Sequence, residues 1–147
     1  MRALIQVADG AHVEVDGDVV GGFDDTGLVV LLGVTHSDDE AIAAKIATKI
    51  AHLRILPGEE SVLQAGAPVL LISQFTLYGD VRKGRRPGWT AAAPGAVSEP
   101  LYEEVGAVLR GLGVDVSTGE FGAQMRVGLI NNGPFTIWLD SAELPAS

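Results

Sequence analysis

The sequence predicts an α+β fold: a single domain, 1–147, with a mostly antiparallel, barrel-like or strongly curved sheet and two main flanking helices. Three observations carry this. Strand-length apolar runs fill the first 34 positions and recur towards the C-terminus, two stretches of helical periodicity separate them, and turn residues stand at the junctions. A chain of 147 residues suits one domain and is long enough to bury a core.

Leu4 to Val7 reads as the first strand. His12-Val13-Glu14-Val15 alternates polar and apolar residues before Asp16-Gly17, a strong hairpin signal, and Val19-Val20 returns. Leu28 to Val34 is continuous enough to be a buried strand. Ser37-Asp38-Asp39-Glu40 forms a capping box, followed by Ile42, Ile46, Ile50 and Leu53 on one helical face. Pro57-Gly58 interrupts the chain, and Val69 to Leu77 supplies the central strand. Gly79 to Pro94 is a long loop rich in glycine, proline and basic residues, of the kind that compact domains keep for function. A second helix is expected to start near Pro100 and to bury Leu101, Val105, Val108, Leu109 and Leu112 before Gly111 and Gly113 end it. Val114 to Val116, Met125 to Ile130 and Phe135 to Leu139 complete the strands, with no repeat or linker between elements.

With 47% hydrophobic residues the chain is not a disordered segment. It has no cysteine, which excludes disulfides, thiolate metal sites and a cysteine nucleophile. The N-terminal apolar run stops at Gln6, far short of a signal-peptide core, and nothing approaches the roughly 18 apolar residues of a membrane span. A cytoplasmic protein with no membrane partner is expected. The formal net charge of −9 weakens long-range attraction to any nucleic acid. Locally, Arg82, Lys83, Arg85 and Arg86 form a basic cluster before Trp89, which reads either as a solvated loop or as a short-range RNA contact.

Two segments break the strand pattern with polar and backbone-exposing residues, where function tends to sit. Ser73-Gln74-Phe75-Thr76-Leu77 follows the run Val69 to Ile72, and Asn131-Asn132-Gly133-Pro134-Phe135-Thr136 follows Val127 to Ile130. In an extended strand Gln74 and Thr76 share a face. The plainer reading is a strand edge whose hydroxyl and amide are satisfied by neighbours. As a nucleophile Thr76 needs a base, yet no His, Lys or acid flanks it, and His12, His36 and His52 are distant in sequence. No His, Asp or Glu spacing suggests a metal site, and no cofactor is expected. Met125 and Phe135 suit core packing or an apolar surface under a base.

Together the two motifs resemble those of the D-aminoacyl-tRNA deacylases, an S-Q-F-T-L segment and a later N-x-G-P-[VF]-T segment, both matched at every specified position. The resemblance runs from Arg2-Ala3-Leu4-Ile5-Gln6 through Gly33-Val34 to Trp138. It implies a homodimer and hydrolysis of the ester of D-aminoacyl-tRNA, with Ser73, Gln74, Phe75 and Thr76 as catalytic residues and Asn131, Gly133, Pro134, Phe135, Thr136 and Met125 binding substrate. It further implies a cis Gly133-Pro134 bond that enters the partner subunit's site, holds the substrate's α-amino group with backbone carbonyls and rejects L-side chains. Glycyl-tRNA mischarged on tRNA-Ala, having no side chain to reject, would also be a substrate. The missing base fits chemistry assisted by the terminal ribose 2′-hydroxyl, with N–H groups near Phe75 and Thr76 as an oxyanion hole. The alternatives are an editing domain for a misacylated L-aminoacyl-tRNA, or a non-catalytic RNA-binding module; DNA is not an expected partner. The chain departs from the family pattern at Val7-Ala8, where Arg-Val is common, at the shortened Glu59-Glu60-Ser61, and at Gly88, where a polar residue is usual.

Overall fold

The computed structural model describes residues 1–146. Its elements are β1 (Arg2–Val15), β2 (Asp18–Gly33), α1 (Glu40–His52), α2 (Val62–Ala65), β3 (Val69–Ser73), α3 (Gly95–Gly111), β4 (Val116–Thr118) and β5 (Arg126–Asp140). One sheet runs in the order β4-β3-β2-β1-β5. β1 pairs antiparallel with β2 and β5, while β2 with β3 and β3 with β4 are parallel. The sheet is therefore mixed, two antiparallel pairings and two parallel ones, where a mostly antiparallel one was expected. The reason lies in the connections: α1 and α2 join β2 to β3 and α3 joins β3 to β4, and such helical crossovers make neighbouring strands parallel.

Three expected boundaries move. Leu4 to Val7 and His12 to Val15 are one strand, bent at Gly10, whose φ of +83° accompanies a register shift between Asp9 and Ala11. Asp16-Gly17 makes the hairpin turn with φ of +51° and +82°, both left-handed as the tightest hairpin turns require. α1 is capped by Asp39, whose carboxylate accepts from the Ile42 N–H, and not by the Ser37 box. The reciprocal capping box is instead formed by Ser61 and Gln64 at α2. α3 starts at Gly95, so that Pro100 lies inside the helix and not at its first turn.

Apolar residues separate into two clusters on opposite faces of the sheet. Ile5, Val7, Val30, Leu32 and Leu71 pack against Ile46 and Ile50 of α1 and Val105 and Leu109 of α3. Ala8, Val13, Val29, Leu70 and Ile72 form the second cluster, covered by Phe23, Met125, Val127 and Leu129. The departures at Val7-Ala8 fall here: Val7 belongs to one core cluster and Ala8 to the other, so both are structural positions. Among the described residues no helix is long and apolar enough to cross a membrane.

Candidate active site

β3 ends at Ser73, and the chain then tightens into a single 3₁₀ turn, Phe75–Tyr78, in place of the extended strand expected through Leu77. The ladder holds the entry: Ser73 lies opposite Leu32, and the Gln74 N–H donates to the Leu32 carbonyl at 2.7 Å. Tyr78 turns inward and is buried, while Phe75 and Thr76 face solvent. Burial pushes the Tyr78 hydroxyl pKa well up, and the nearby carboxylates of Asp38 and Asp140 add to it. Arg2 props the turn from beneath: its Nη1 donates to the Leu77 carbonyl at 2.9 Å and its Nε to Asp140 at 3.1 Å, with the guanidinium 4.3 Å from the Tyr78 ring centre.

The turn still brings Gln74 to Thr76, although by a fold-back and not along one strand face: Gln74 Nε2 donates to Thr76 Oγ1. An amide donor is no base, so this contact positions the hydroxyl without activating it. The Leu77 N–H is the first to bond within the turn, donating to the Gln74 carbonyl at 3.3 Å. The N–H groups of Phe75 and Thr76 precede it, and among the described residues neither finds a protein acceptor.

A cleft of about 770 Å³ opens beside this turn. Ser73, Gln74 and Phe75 form one wall, the start of α3 with Ser98 and Tyr102 another, and residues 121–127 with Phe121 and Met125 a third. Met125 thus lines the cleft as well as covering the second core cluster, its sulfur lying so near Gly119 that a Cβ there would come within 2.5 Å of it. Tyr102 donates its hydroxyl to the Leu71 carbonyl at 2.6 Å, and burial holds its pKa up at about 12, so it stays protonated near neutrality. None of the three histidines lines the cleft. His36 Nε2 bonds the Thr90 carbonyl at 2.7 Å and His52 Nδ1 the Thr48 carbonyl at 2.8 Å. Glu14 and Asp16 of the first hairpin, Tyr102, Phe121, Gln124 and Arg126 join the lining without a motif to mark them in the sequence. Among the described residues no three His, Asp or Glu side chains are grouped to hold a metal.

The second motif lies inside β5, one continuous strand where two were expected. Thr136 pairs with Gln6 and Asn131 with Ala8, so four residues of β5 stand against one of β1 and are pushed out of the ladder. The loop is braced at its base. Asn131 Nδ2 donates to the Val7 carbonyl at 3.0 Å, and Thr136 Oγ1 to Asn131 Oδ1 at 3.2 Å. Asn132 reaches Asp9 Oδ1 at 3.4 Å. The Gly133-Pro134 bond is cis. Gly133, Pro134, Phe135 and Thr136 are exposed, and none of them lines the cleft of the same chain.

The basic loop is closed by reciprocal backbone bonds between Asp80 and Gly88, each 2.8 Å. Asp80 also accepts from the Arg82 backbone N–H, Nε and Nη2 at 3.0, 2.9 and 2.8 Å. These side-chain bonds hold the Asp80 carboxyl down at about 2. Arg82 is thereby committed to its own loop, whereas Lys83, Arg85 and Arg86 are exposed and make no ion pair among the described residues.

Known proteins resemble this chain along nearly its whole length. A D-aminoacyl-tRNA deacylase of Streptomyces coelicolor is 59% identical over 140 residues, spanning 95% of this chain and 99% of that protein. One from Micrococcus luteus is 59% identical over 144 residues, spanning 98% and 96%. Among solved structures, the c-Myc DNA Unwinding Element Binding Protein superposes with a TM-score of 0.85 at 32% identity, covering 99% of this chain and 100% of that one. A probable eukaryotic D-amino acid tRNA deacylase shares the fold with a TM-score of 0.82 at 20% identity, covering 94% and 97%. The family model described as D-Tyr-tRNA(Tyr) deacylase matches residues 4–140, and the chain belongs to that family.

Proposed function

We propose that this chain hydrolyses the ester bond of D-aminoacyl-tRNA, releasing the D-amino acid and free tRNA in the cytoplasm. One observation carries the mechanism: the cleft is walled by Gln74 and Phe75, beside two N–H groups without protein acceptors, yet it holds no histidine and the neighbouring Thr76 hydroxyl only accepts from an amide. These donors stabilise negative charge and do not deprotonate a nucleophile. Water therefore attacks the ester carbonyl with assistance from the 2′-hydroxyl of the terminal ribose, the Phe75 and Thr76 N–H groups receive the developing oxyanion, and the acyl C–O bond then breaks to leave the 3′-oxygen protonated on the tRNA. Ser73, Gln74 and Thr76 orient the ester.

The Gly133-Pro134 loop is the chiral reader in this proposal, and it acts in the cleft of a second copy. Its exposure, its absence from the cleft of its own chain, and the exposed Ile130, Phe135 and Trp138 along the β5 edge all support that arrangement. Backbone carbonyls hold the α-amino group and the adjoining wall excludes an L-side chain, so D-side chains of many sizes pass. Glycine, mischarged on tRNA-Ala, passes as well. Met125 and Phe135 supply apolar surface at the terminal nucleoside.

The test is single-turnover hydrolysis of D-tyrosyl-tRNA ending in either adenosine or 2′-deoxyadenosine. Loss of turnover with the deoxy end supports assistance by the RNA; equal turnover with both ends contradicts it.

A further inference from the structure

Trp89 is one of two tryptophans in the chain and remains 44% exposed although three separate devices hold it in place. Its ring meets Phe75 edge-on, with centres 5.3 Å apart and planes at 69°. Gly79 lets the indole lie against the 3₁₀ turn, since a Cβ there would come within 2.9 Å of Trp89 Cζ3. The Asp80 to Gly88 backbone bridge fixes the residue immediately before it. Phe75, the partner ring, is itself 56% exposed and lines the cleft. A large exposed aromatic held this firmly presents a face that the core does not use.

The surroundings select its occupant. The loop closed by the same bridge carries Lys83, Arg85 and Arg86, exposed and without ion pairs among the described residues, on a chain whose formal net charge is −9. A rigid π-face at the lip of a cleft, next to unneutralised cations, matches an unpaired nucleobase with its phosphates. We propose that the Phe75 and Trp89 pair is a stacking platform for the unpaired nucleotide that precedes the terminal adenosine, with Lys83, Arg85 and Arg86 contacting its phosphates. This rests on the deacylase reading, and it adds a point of purchase on the RNA outside the cleft where the ester is broken. Stacking is indifferent to base identity, so the platform accepts any tRNA with a single-stranded 3′ end.

Two measurements test it. In a Trp138→Phe background Trp89 is the sole tryptophan and is excited selectively over the two tyrosines, and the trinucleotide CCA quenches it whereas adenosine alone does not. In single-turnover assays Trp89→Ala raises the half-saturating concentration of D-tyrosyl-tRNA by about tenfold. The same variant raises the half-saturating concentration of D-tyrosyl-adenosine far less than that of the tRNA, and Trp89→Phe restores binding of the tRNA. Equal losses on both substrates, or no loss on either together with no quenching, overturn the platform. So does a change in sedimentation of Trp89→Ala, which would make this face a contact between copies of the chain. Absence of wild-type turnover on both substrates would instead contradict the deacylase reading, and quenching by CCA is read independently of it.

Discussion

The guanidinium of Arg2 donates to the carbonyl of Leu77 at 2.9 Å, joining the first residue of β1 to the last residue of the motif that walls the cleft. The same side chain pairs with Asp140 and lies 5.5 Å from the Trp138 ring centre, so the turn after β3 is tied to the end of β5. Replacing Arg2 with Ala removes a charge-assisted hydrogen bond of about 1.5–3 kcal/mol and lets the Phe75 and Thr76 N–H groups drift. Turnover of D-tyrosyl-tRNA is expected to fall more than binding, as read by kcat against KM.

Thr76→Ala is expected to keep measurable activity, because the side chain bonded to its hydroxyl is the Gln74 amide, which only donates to it and is no base. Quench-flow with the variant checks this. Complete loss with Thr76→Ala, combined with retained turnover on a 2′-deoxy end, would identify a threonine nucleophile.

Neutralising Lys83, Arg85 and Arg86 together is expected to flatten the dependence of tRNA binding on salt, lowering the slope of log K against log salt by about 2. Arg82→Ala behaves differently, since Arg82 is held by Asp80. Its main effect is on loop order, visible as faster amide exchange at residues 81–87.

Asp80 titrates at about 2, below the ordinary carboxylate value, because Arg82 bonds its charged form. A depressed folded-state value contributes to loop closure above the unfolded carboxylate pKa, and that contribution is lost as pH falls towards 2. The Asp80 carboxyl resonance is therefore expected to stay ionised at pH 3 in the wild type, and Arg82→Ala to return it to the usual range.

Much of this was legible from residue patterns, and the misses share a physical origin. The isoleucine stripe of α1, the Asp16-Gly17 turn and the two motifs are local signals, and each marks an element that forms. Strand direction depends on crossovers, so the parallel pairing of β2, β3 and β4 was not written in any single run. Ser73 to Tyr78 reads as strand by alternation, but Arg2, distant in sequence, holds its end as a 3₁₀ turn. Asp39 and not Ser37 caps α1 because the helix starts only at Glu40, while Asp38 is held by the N-terminal ammonium at 2.8 Å and the Thr35 N–H. Tyr102 and Phe121 line the cleft through packing alone, which leaves no motif behind.

Chiral discrimination is the centre of the account, and paired turnover of D-tyrosyl-tRNA and L-tyrosyl-tRNA by the same preparation tests it most directly. The account predicts rapid release of tyrosine from the D-ester and none above background from the L-ester. Comparable rates for the two, or hydrolysis of the L-ester alone, would contradict it.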